Sequence, residues 1–353
     1  MNETSTIRDR TFERLRRSIA GEPSDGYGVF HYYTYPFYKS VTGVDLNRYF
    51  HDPKVMFDTQ YQVLEKIEKC GSFQPDEGAA AEVSSLGGVV QFDKEGFISV
   101  KGQDLEDEDI LAIRPGDPYG DNYMRRALEA LQYMADNAPA DIKVNPPVCH
   151  GPVTVCAQLL GMENFFIRLM TDPEIVEPLL DTAAETSIRF MKESEKILGR
   201  PLHHLLIADD FSSMMSEEMY REYVVPRYQA IFREFPGTQR WLHNDAKADH
   251  LCGAIADAGI QAWQHFLSID LQTAMENTGG RVSLMGGIRP VTLQSTTPEE
   301  TYDLCVETMK KFGGNNKFVL SAGGSVNQVP LENLMAMFRA ADAFKLDGPG
   351  VRG

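Results

Sequence analysis

A histidine and an aspartate two positions apart are the residues of this sequence whose types and spacing most directly suggest chemistry. His243 and Asp245 follow the apolar pair Trp241-Leu242. Side chains two positions apart on a strand point to one face, so this imidazole and this carboxylate should lie side by side. Together they could bind a metal ion or exchange protons with a substrate. Local hydrogen bonding by His243 and helix capping by Asp245 would explain the same pattern.

Further candidates follow other predicted strands. Asp209 and Asp210 come directly after the apolar strand Leu205–Ala208 and could act as acids or bases. Arg289 follows the strand Val282–Met285 and is the cation best placed to hold an anionic substrate, unless it is a solvated loop residue.

Three side chains are candidates for substrate contact. His150 precedes a Gly-Pro turn and His265 lies in a predicted strand. Either could instead be a buried, hydrogen-bonded histidine. Tyr33 belongs to the unusually aromatic segment His31–Tyr38. That segment could stack on a ligand, or it could form a lid, the rim of the site or a contact in a homodimer.

The elements that must position these residues are short strands that alternate with longer helices. The predicted strands in the second half are Leu205–Ala208, Arg240–Leu242, Ala262–Leu267, Val282–Met285 and Phe318–Ser321. This alternation is typical of right-handed βαβ units with a parallel sheet. With about eight such units, the sequence predicts an α/β fold, a (β/α)8 TIM barrel whose active site lies at the carboxyl ends of the strands.

Three regions are predicted. Residues 1–50 form an N-terminal helical and aromatic extension, residues 51–345 form the barrel, and residues 346–353 form a tail. No Gly-x-Gly-x-x-Gly opens the first helix and no Walker loop occurs, which disfavours nucleotide-binding folds.

Composition narrows the class of partners. The 34 basic and 51 acidic residues give a formal net charge of −17, which opposes binding to nucleic acid or to an anionic membrane surface. The five cysteines are odd in number and include no Cys-x-x-Cys pair, which is typical of a reducing compartment. The charged N-terminus and the absence of any apolar run of about 18 residues predict a soluble cytoplasmic protein.

Six short motifs, taken in order, resemble the uroporphyrinogen decarboxylase superfamily. They are Gly151-Pro152-Val153-Thr154, Ile207-Ala208-Asp209-Asp210, Met215–Pro226, His243-Asn244-Asp245, Gly286-Gly287-Ile288-Arg289-Pro290 and Ala322–Val326. The similarity runs from about Asp52 to Phe344, and the shared order is more specific than any single motif. The superfamily includes the decarboxylase of haem synthesis and the methylcobamide-dependent methyltransferases of anaerobes, so the resemblance implies a TIM barrel with one of these activities.

Two branches of the superfamily differ from this chain at their marker residues. The decarboxylase carries an N-terminal Arg-Gln-Ala-Gly-Arg run whose arginines grip substrate carboxylates, whereas this chain has the aromatic segment His31–Tyr38 there. The coenzyme M methyltransferases hold zinc through a His-x-Cys pair and a later cysteine. His243 matches that histidine, but Asp245 replaces the first cysteine and the region Ala322–Gly324 lacks the second.

A third branch, the methyltransferases that begin O-demethylation of methyl ethers, carries a cysteine-free zinc motif, Glu-x14-Glu-x20-His. Glu222 and His243 have the second spacing, with 20 residues between them. The first glutamate would fall on Ile207, and an aspartate just after it could take its place. The resemblance implies a zinc site with Glu222, His243 and Asp245 as ligands. Oxygen and nitrogen ligands keep zinc a strong Lewis acid, as an ether oxygen requires.

The resulting hypothesis is a zinc-dependent methyltransferase that moves a methyl group from a small methyl ether to the Co(I) corrinoid (cobalamin) of a partner protein. The partner is inferred because the sequence contains no Asp-x-His-x-x-Gly corrinoid-binding motif. Two alternatives stay open. One is a lyase that decarboxylates a small acid, with Asp209, Asp210 or His243 as acid or base and Arg289 as carboxylate clamp. The other is a metal-free barrel that serves as a binding subunit.

Overall fold

A curled sheet of seven parallel strands carries the fold in the computed structural model, which describes residues 3–67, 71–266, 270–312 and 315–346. The strands of the chain are β1 (Gly28–Tyr32), β2 (Ser72–Phe73), β3 (Val89–Phe92), β4 (Ile98–Lys101), β5 (Lys143–Val144), β6 (Cys149–His150), β7 (His204–Ala208), β8 (Gln239–Lys247), β9 (Ala262–Phe266), β10 (Ser283–Ile288) and β11 (Phe318–Ser325). The sheet order is β1-β11-β10-β9-β8-β7-β6, and each neighbouring pair is parallel. The predicted TIM-barrel-like α/β fold is confirmed.

Two short ladders complete the strands. β2 pairs in parallel with β5, and the chain then passes through Pro146 and Pro147 into β6. Proline has no N–H to donate to a ladder, so Pro146 and Pro147 separate the short strands β5 and β6. β3 and β4 form the antiparallel hairpin that the turn at residues 93–96 predicts.

Helices connect and cover the strands. They are α1 (Glu3–Ala20), α2 (Tyr35–Thr42), α3 (Leu46–His51), α4 (Pro53–Ile67), α5 (Ala81–Ser85), α6 (Asp107–Ala112), α7 (Tyr123–Asn137), α8 (Pro152–Leu160), α9 (Met162–Thr171), α10 (Pro173–Leu198), α11 (Glu217–Met219), α12 (Val225–Glu234), α13 (Cys252–Asp257), α14 (Leu271–Asn277), α15 (Pro290–Ser295), α16 (Pro298–Phe312) and α17 (Leu331–Ala343). Proline opens five of them, a position where its missing N–H leaves no helical hydrogen bond unmade. A π-helical turn, Tyr220–Val224, leads into α12.

The N-terminal residues are part of the barrel, which corrects the predicted extension of residues 1–50. β1 pairs with β11 at the edge of the sheet, with Gly28 opposite Val319. α1 packs against the amino ends of the strands, where Ser283 Oγ donates to the carbonyls of Ser18 and Ile19 at 3.0 and 2.9 Å. The aromatic sequence of β1 gives no alternating signal, and its partner lies almost 300 residues away, so local pattern could not assign it. Residues 347–353 of the predicted tail lie outside the described residues.

The strand that carries His243 is longer than the sequence predicts. The predicted strand ends at Leu242, whereas β8 continues to Lys247 and the next α-helix, α13, begins at Cys252. The extension exists because β9 lies alongside, with Asn244 opposite His265. His243 and Asp245 are therefore both strand residues, and neither caps a helix.

Apolar side chains fill the space between sheet and helices and the lower part of the barrel. At the amino ends of the strands, Leu15 of α1 packs with Leu206, Trp241 and Met285. Four cysteines are buried thiols, and Cys70 lies outside the described residues. The space for a ligand around His243 lies at the other end of the strands, their carboxyl ends.

No single helix in the described ranges is long and apolar enough to span a bilayer. α8 and α9 meet that criterion as a pair, with a bend of 109° between them. Val153, Val155 and Leu159 of α8 are buried in the core of this fold.

Candidate active site

A cavity of about 280 Å³ opens at the carboxyl ends of β1, β6, β7 and β8. Its aromatic lining is Tyr32, Tyr33, Tyr35 and Phe211, and its ionisable lining is Asp76, Glu77, His150, Asp210, His243 and Asp245. Ala208 and His243 are partners in the ladder between β7 and β8, and both face the cavity. This is the end of a parallel barrel at which active sites lie, so the cavity is the candidate active site.

His243 is buried and held by one neighbour on the next strand. Its Nδ1 lies 2.8 Å from Oε1 of Gln264, its partner in the ladder between β8 and β9. The amide of Gln264 is itself fixed, because its Nε2 donates to the carbonyls of Ala322 and Gly324 at 3.0 and 3.2 Å. Oε1 therefore accepts a hydrogen bond from the Nδ1–H of His243, and in the neutral imidazole the lone pair is then on Nε2. The sequence analysis did not identify Gln264. It named the next residue, His265, as a candidate instead.

Asp245 and Asp210 lie beside this imidazole. Asp245 Oδ1 is 3.6 Å from His243 Nε2, and its Oδ2 accepts from Ser325 Oγ at 3.2 Å. Asp210 Oδ1 accepts from the backbone N–H of Asp245 at 2.6 Å, which ties the end of β8 to the loop after β7. The prediction that His243 and Asp245 share a face is confirmed, and Asp210 joins them in the cavity lining.

The aromatic segment His31–Tyr38 forms one wall of the cavity. The ring of Tyr32 lies over His243 with 4.4 Å between centroids. Tyr33, the tyrosine chosen from the sequence, also lines the cavity, whereas Phe37 and Tyr38 are buried in the core. Most of this segment is thus cavity wall and core, and the predicted dimer contact gains no support from it. Tyr32 could have been identified if the segment had been recognised as the end of a strand.

The loop after β2 brings two further acidic residues that sequence reasoning missed. Asp76 and Glu77 line the cavity. Burial raises the pKa of Asp76 to about 6. Burial, and then the charges of Asp76 and Glu82, raise the pKa of Glu77 well above its usual value. The signal in the sequence was an acidic pair directly after a short strand, but the two-residue β2 is too short to be recognised from its pattern.

His150 lines the cavity and is paired with a buried glutamate. Glu82 accepts from the backbone N–H of His150 at 2.8 Å, and its other oxygen lies 3.0 Å from Nδ1. Burial by itself would lower the pKa of His150, but the charge and hydrogen bond of Glu82 outweigh it and raise the pKa above its usual value. His150 is therefore both a buried, hydrogen-bonded histidine and a residue of the cavity, as the sequence allowed.

Asp209, which the sequence predicts to be catalytic, is not among the residues that line this cavity. Its Oδ1 accepts from the backbone N–H and the hydroxyl of Thr154 at 2.8 and 2.7 Å, and its Oδ2 accepts from Tyr228 at 2.8 Å. These contacts join the end of β7 to α8 and α12. Asp209 and Asp210 follow the last residue of β7, and there Asp210 lines the cavity whereas Asp209 contacts α8 and α12.

Replacing Asp209 with asparagine should flatten the pH dependence of stability between about pH 4 and 6. Burial raises the pKa of Asp209 from its ordinary 3.8 to about 6. The folded state therefore favours the protonated form, and the stability this provides is complete below pH 3.8 and lost as the pH rises through 6. Two pKa units correspond to about 3 kcal/mol. Asparagine can accept from Thr154 and donate to Tyr228 at any pH.

The measurement is the free energy of unfolding in urea between pH 4 and 8, for the variant and for the unchanged protein. The asparagine variant should gain relative stability as the pH rises. Parallel curves would contradict the assignment of a buried, proton-binding Asp209.

Glu222 does not reach the cavity. It lies in the π-helical turn before α12, its side chain is exposed, and it is absent from the cavity lining. Within the described ranges, no three histidine, cysteine or acidic side chains are grouped closely enough to hold a metal ion. His243 and Asp245 could supply two ligands, since bonds of ~2 Å fit their 3.6 Å separation, but Glu222 is not the third. The predicted zinc ligand set is wrong in this respect.

Arg289 and His265 lie at a different cavity. This second cavity, of about 550 Å³, is lined by both residues together with Lys311. His265 faces the helical layer, because it follows the inward-facing Gln264, and burial lowers its pKa to about 3. Arg289 is exposed at the start of α15. Neither residue lines the cavity of His243, which corrects their prediction as substrate contacts beside it.

Comparisons with known proteins agree with this fold. A solved methyltransferase structure from Methanosarcina mazei superposes with a TM-score of 0.78 at 21% identity, and the match covers 95% of this chain and 98% of that one. A methylated-thiol–coenzyme M methyltransferase of M. mazei is 29% identical over 197 residues, which are 55% of this chain and 52% of that protein. The methylcobamide:CoM methyltransferase MtaA of Methanosarcina barkeri is 25% identical over 241 residues, 66% of this chain and 68% of that protein.

The family assignment rests on nearly the whole chain. Residues 11–344 match the model of the uroporphyrinogen decarboxylase (URO-D) family. The matched range begins inside α1 and ends just after α17, so it includes β1 and every other strand of the sheet. The sequence motifs, the parallel barrel and this match lead to the same conclusion: the chain belongs to the uroporphyrinogen decarboxylase (URO-D) family.

Proposed function

We propose that this chain is a methyltransferase that moves a methyl group from a small methylated compound to the Co(I) corrinoid of a partner protein. The donor binds in the cavity around His243. The observation that supports this best is the cavity itself, which is small and is lined by Tyr32 and by a His243 ring that Gln264 holds through Nδ1. Two similar proteins are named as methyltransferases of coenzyme M, although the first of these matches covers only about half of its protein.

The size of the cavity favours a small donor. About 280 Å³ lies just below the roughly 300–1,000 Å³ of pockets that hold drug-sized ligands. A corrinoid is far larger, so it must approach from outside the barrel on a partner.

The charge of the cavity argues against the alternative of a lyase for an acidic substrate. Such an enzyme needs cations to hold the substrate carboxylate. No lysine or arginine is found among the cavity-lining residues that the structure describes, and four carboxyl groups line the same space. Arg289, the predicted carboxylate clamp, lies at the second cavity.

Zinc and a methyl ether are not part of this proposal. A methyl ether releases an alkoxide or phenoxide, which an electrophile bound to the ether oxygen must stabilise. The sequence assigned that electrophile to zinc held by Glu222, His243 and Asp245, and the described side chains do not bring these three together.

The chain's own residues have two tasks in this proposal. The walls exclude water, and the residues around the donor hold its methyl group in line with the attacking cobalt, because displacement at carbon requires alignment of the reacting atoms. Tyr32 and His243 both line the cavity, and their rings lie 4.4 Å apart. Gln264 fixes the orientation of His243 from behind.

The purified protein should transfer methyl groups only when a reduced corrinoid is present. The test incubates the protein anaerobically with methylated donors and cob(I)alamin, and follows formation of methylcobalamin by its absorbance. Methyl transfer from methylcobalamin to a thiol provides a second assay that does not depend on identifying the donor. Release of CO2 from a carboxylic acid, or turnover without any corrinoid, would replace this proposal with the lyase.

A further inference from the structure

We infer that the cavity around His243 takes a methylated onium compound, a quaternary ammonium or a sulfonium, as its methyl donor. The inference rests on the proposed methyl transfer and names the class of its substrate. It is carried by the chemistry of the cavity wall: acidic and aromatic side chains surround the space, and the described lining contributes no lysine or arginine.

The carboxyl groups converge on one place. Asp76, Asp210 and Asp245 come from three separate loops or strands, yet all line one cavity of about 280 Å³. Each also contributes, after burial itself, to raising the pKa of the Tyr32 hydroxyl well above its usual value. Groups of like charge that face one another repel, and a positive charge in the cavity would relieve this repulsion.

The carboxyl group of Asp76 lies beside the backbone N–H groups of Gly78 and Tyr35, but one of its oxygens makes no hydrogen bond of standard geometry. Its Oδ1 accepts from the backbone N–H of Gly78 at 3.1 Å. Its Oδ2 is buried and has no hydrogen-bond partner among the described residues. A buried carboxylate oxygen without a partner is costly, and a cation in the cavity would remove that cost. The two histidines of the lining already have acidic neighbours, since His150 lies 3.0 Å from Glu82 and His243 lies 3.6 Å from Asp245.

The aromatic wall supplies the second half of the recognition. Tyr32, Tyr33 and Tyr35 line the cavity together with Phe211. The faces of aromatic rings attract cations that cannot donate hydrogen bonds, and quaternary ammonium groups are the usual ligands of such walls. An onium ligand requires carboxylates that balance its charge and aromatic rings that contact its methyl groups.

An onium donor also agrees with the incomplete zinc ligand set. The C–N or C–S bond of the donor breaks, and its electron pair stays on nitrogen or sulfur, which leaves as a neutral tertiary amine or sulfide. The methyl carbon bonds to the Co(I) of the corrinoid, whose electron pair forms the new bond and which becomes formally Co(III). No proton or Lewis acid is needed at the leaving atom, in contrast to an ether. Glu222, His243 and Asp245 therefore need not form a metal site.

Binding of matched ligands tests this inference without relying on turnover. Calorimetric titration should show choline binding roughly tenfold or more tightly than 3,3-dimethylbutan-1-ol, its neutral analogue with carbon in place of nitrogen. Glycine betaine should bind more weakly than choline, because its carboxylate would face Asp76, Asp210 and Asp245. Titrations with trimethylsulfonium and with tetramethylammonium compare the affinity for a sulfonium with the affinity for a quaternary ammonium. Equal binding of choline and its neutral analogue would overturn the inference.

Asp76→Asn is the decisive variant, since it removes one charge without changing size. It should weaken choline binding by roughly tenfold and leave the neutral analogue unchanged. Asp210→Asn gives a second measurement if Asp76→Asn does not fold, as judged by circular dichroism. Asp104→Asn, an exposed aspartate outside the cavity, is the matched control. Unchanged choline binding in both cavity variants would also contradict the inference.

The methyl-transfer assays separate this inference from the proposed function. If methylcobalamin is demethylated but choline shows no preference over its neutral analogue, the donor class is wrong and the methyltransferase stands. If choline binds selectively but methyl groups move neither to cob(I)alamin nor from methylcobalamin, the cavity binds cations and the methyltransferase function is wrong. Formation of methylcobalamin from an onium donor, and not from anisole, supports both.

Discussion

Replacing His243 with alanine should lower the rate of methyl transfer to cob(I)alamin by about tenfold or more. His243 is 3% exposed, and its ring lies 4.4 Å from that of Tyr32 in the lining of the cavity. Loss of the imidazole leaves a void beside the donor, and small misplacements of reacting groups are enough to cause rate losses of this size. The measurement is the initial rate of methylcobalamin formation at saturating donor.

Two further variants make this result specific. His204 is a buried histidine on β7 that stacks on Trp241 and does not line the cavity, so His204→Ala should retain activity in the folded protein. Gln264→Leu keeps His243 but removes the acceptor of its Nδ1 proton. Its loss of methyl-transfer rate should be smaller than that of His243→Ala. 15N NMR should show a mixture of His243 tautomers in this variant and a single tautomer in the unchanged protein. Full activity in His243→Ala would remove His243 from the site.

Replacing Gly151 with alanine should destabilise the fold by about 2 kcal/mol or more, the range of overpacked cores. A Cβ at position 151 would lie 2.2 Å from both Cγ and Oδ2 of Asp209. Asp209 cannot move aside easily, because Thr154 and Tyr228 hold both of its oxygens. The φ angle of Gly151 is −67°, so the need for glycine is one of space and not of backbone conformation.

The matched control is Gly253→Ala. Gly253 lies in α13, and the nearest atom to an added Cβ is an Arg221 side-chain nitrogen at 3.4 Å. Alanine favours helices more than glycine does, so this variant should be neutral or slightly stabilising. Both variants are compared by thermal and urea unfolding. Equal midpoints for Gly151→Ala and the unchanged protein would mean that Asp209 is not fixed as described.

The sequence by itself determined the class of fold and predicted that His243 and Asp245 lie side by side. Alternation of short apolar strands with helices is a local pattern, and it predicted the parallel barrel and strands close to those observed. The two-residue period of a strand predicted that His243 and Asp245 share a face, because that period is a property of the backbone alone. The shared order of the motifs also led to the family that the whole-chain comparison shows.

A local sequence pattern does not show which of two adjacent residues lines the cavity. Asp209 and Asp210 are adjacent and chemically identical, yet one holds α8 and α12 while the other lines the cavity. Gln264 and His265 differ in the same way. A shift of one position exchanges the two faces of a strand, and what sets the position is the register with the neighbouring strand.

Tertiary structure alone decided which distant residues meet His243. Asp76 and Tyr32 lie more than 160 residues from it in sequence. They reach the cavity because β1 joins the edge of the main sheet and the loop after β2 lies at the same end of the fold. Glu222 has the spacing of a metal ligand, but its helical turn presents it to solvent. The number of residues between Glu222 and His243 does not determine where the Glu222 side chain points or how far it lies from His243. Both depend on how the apolar face of the helix packs on the sheet.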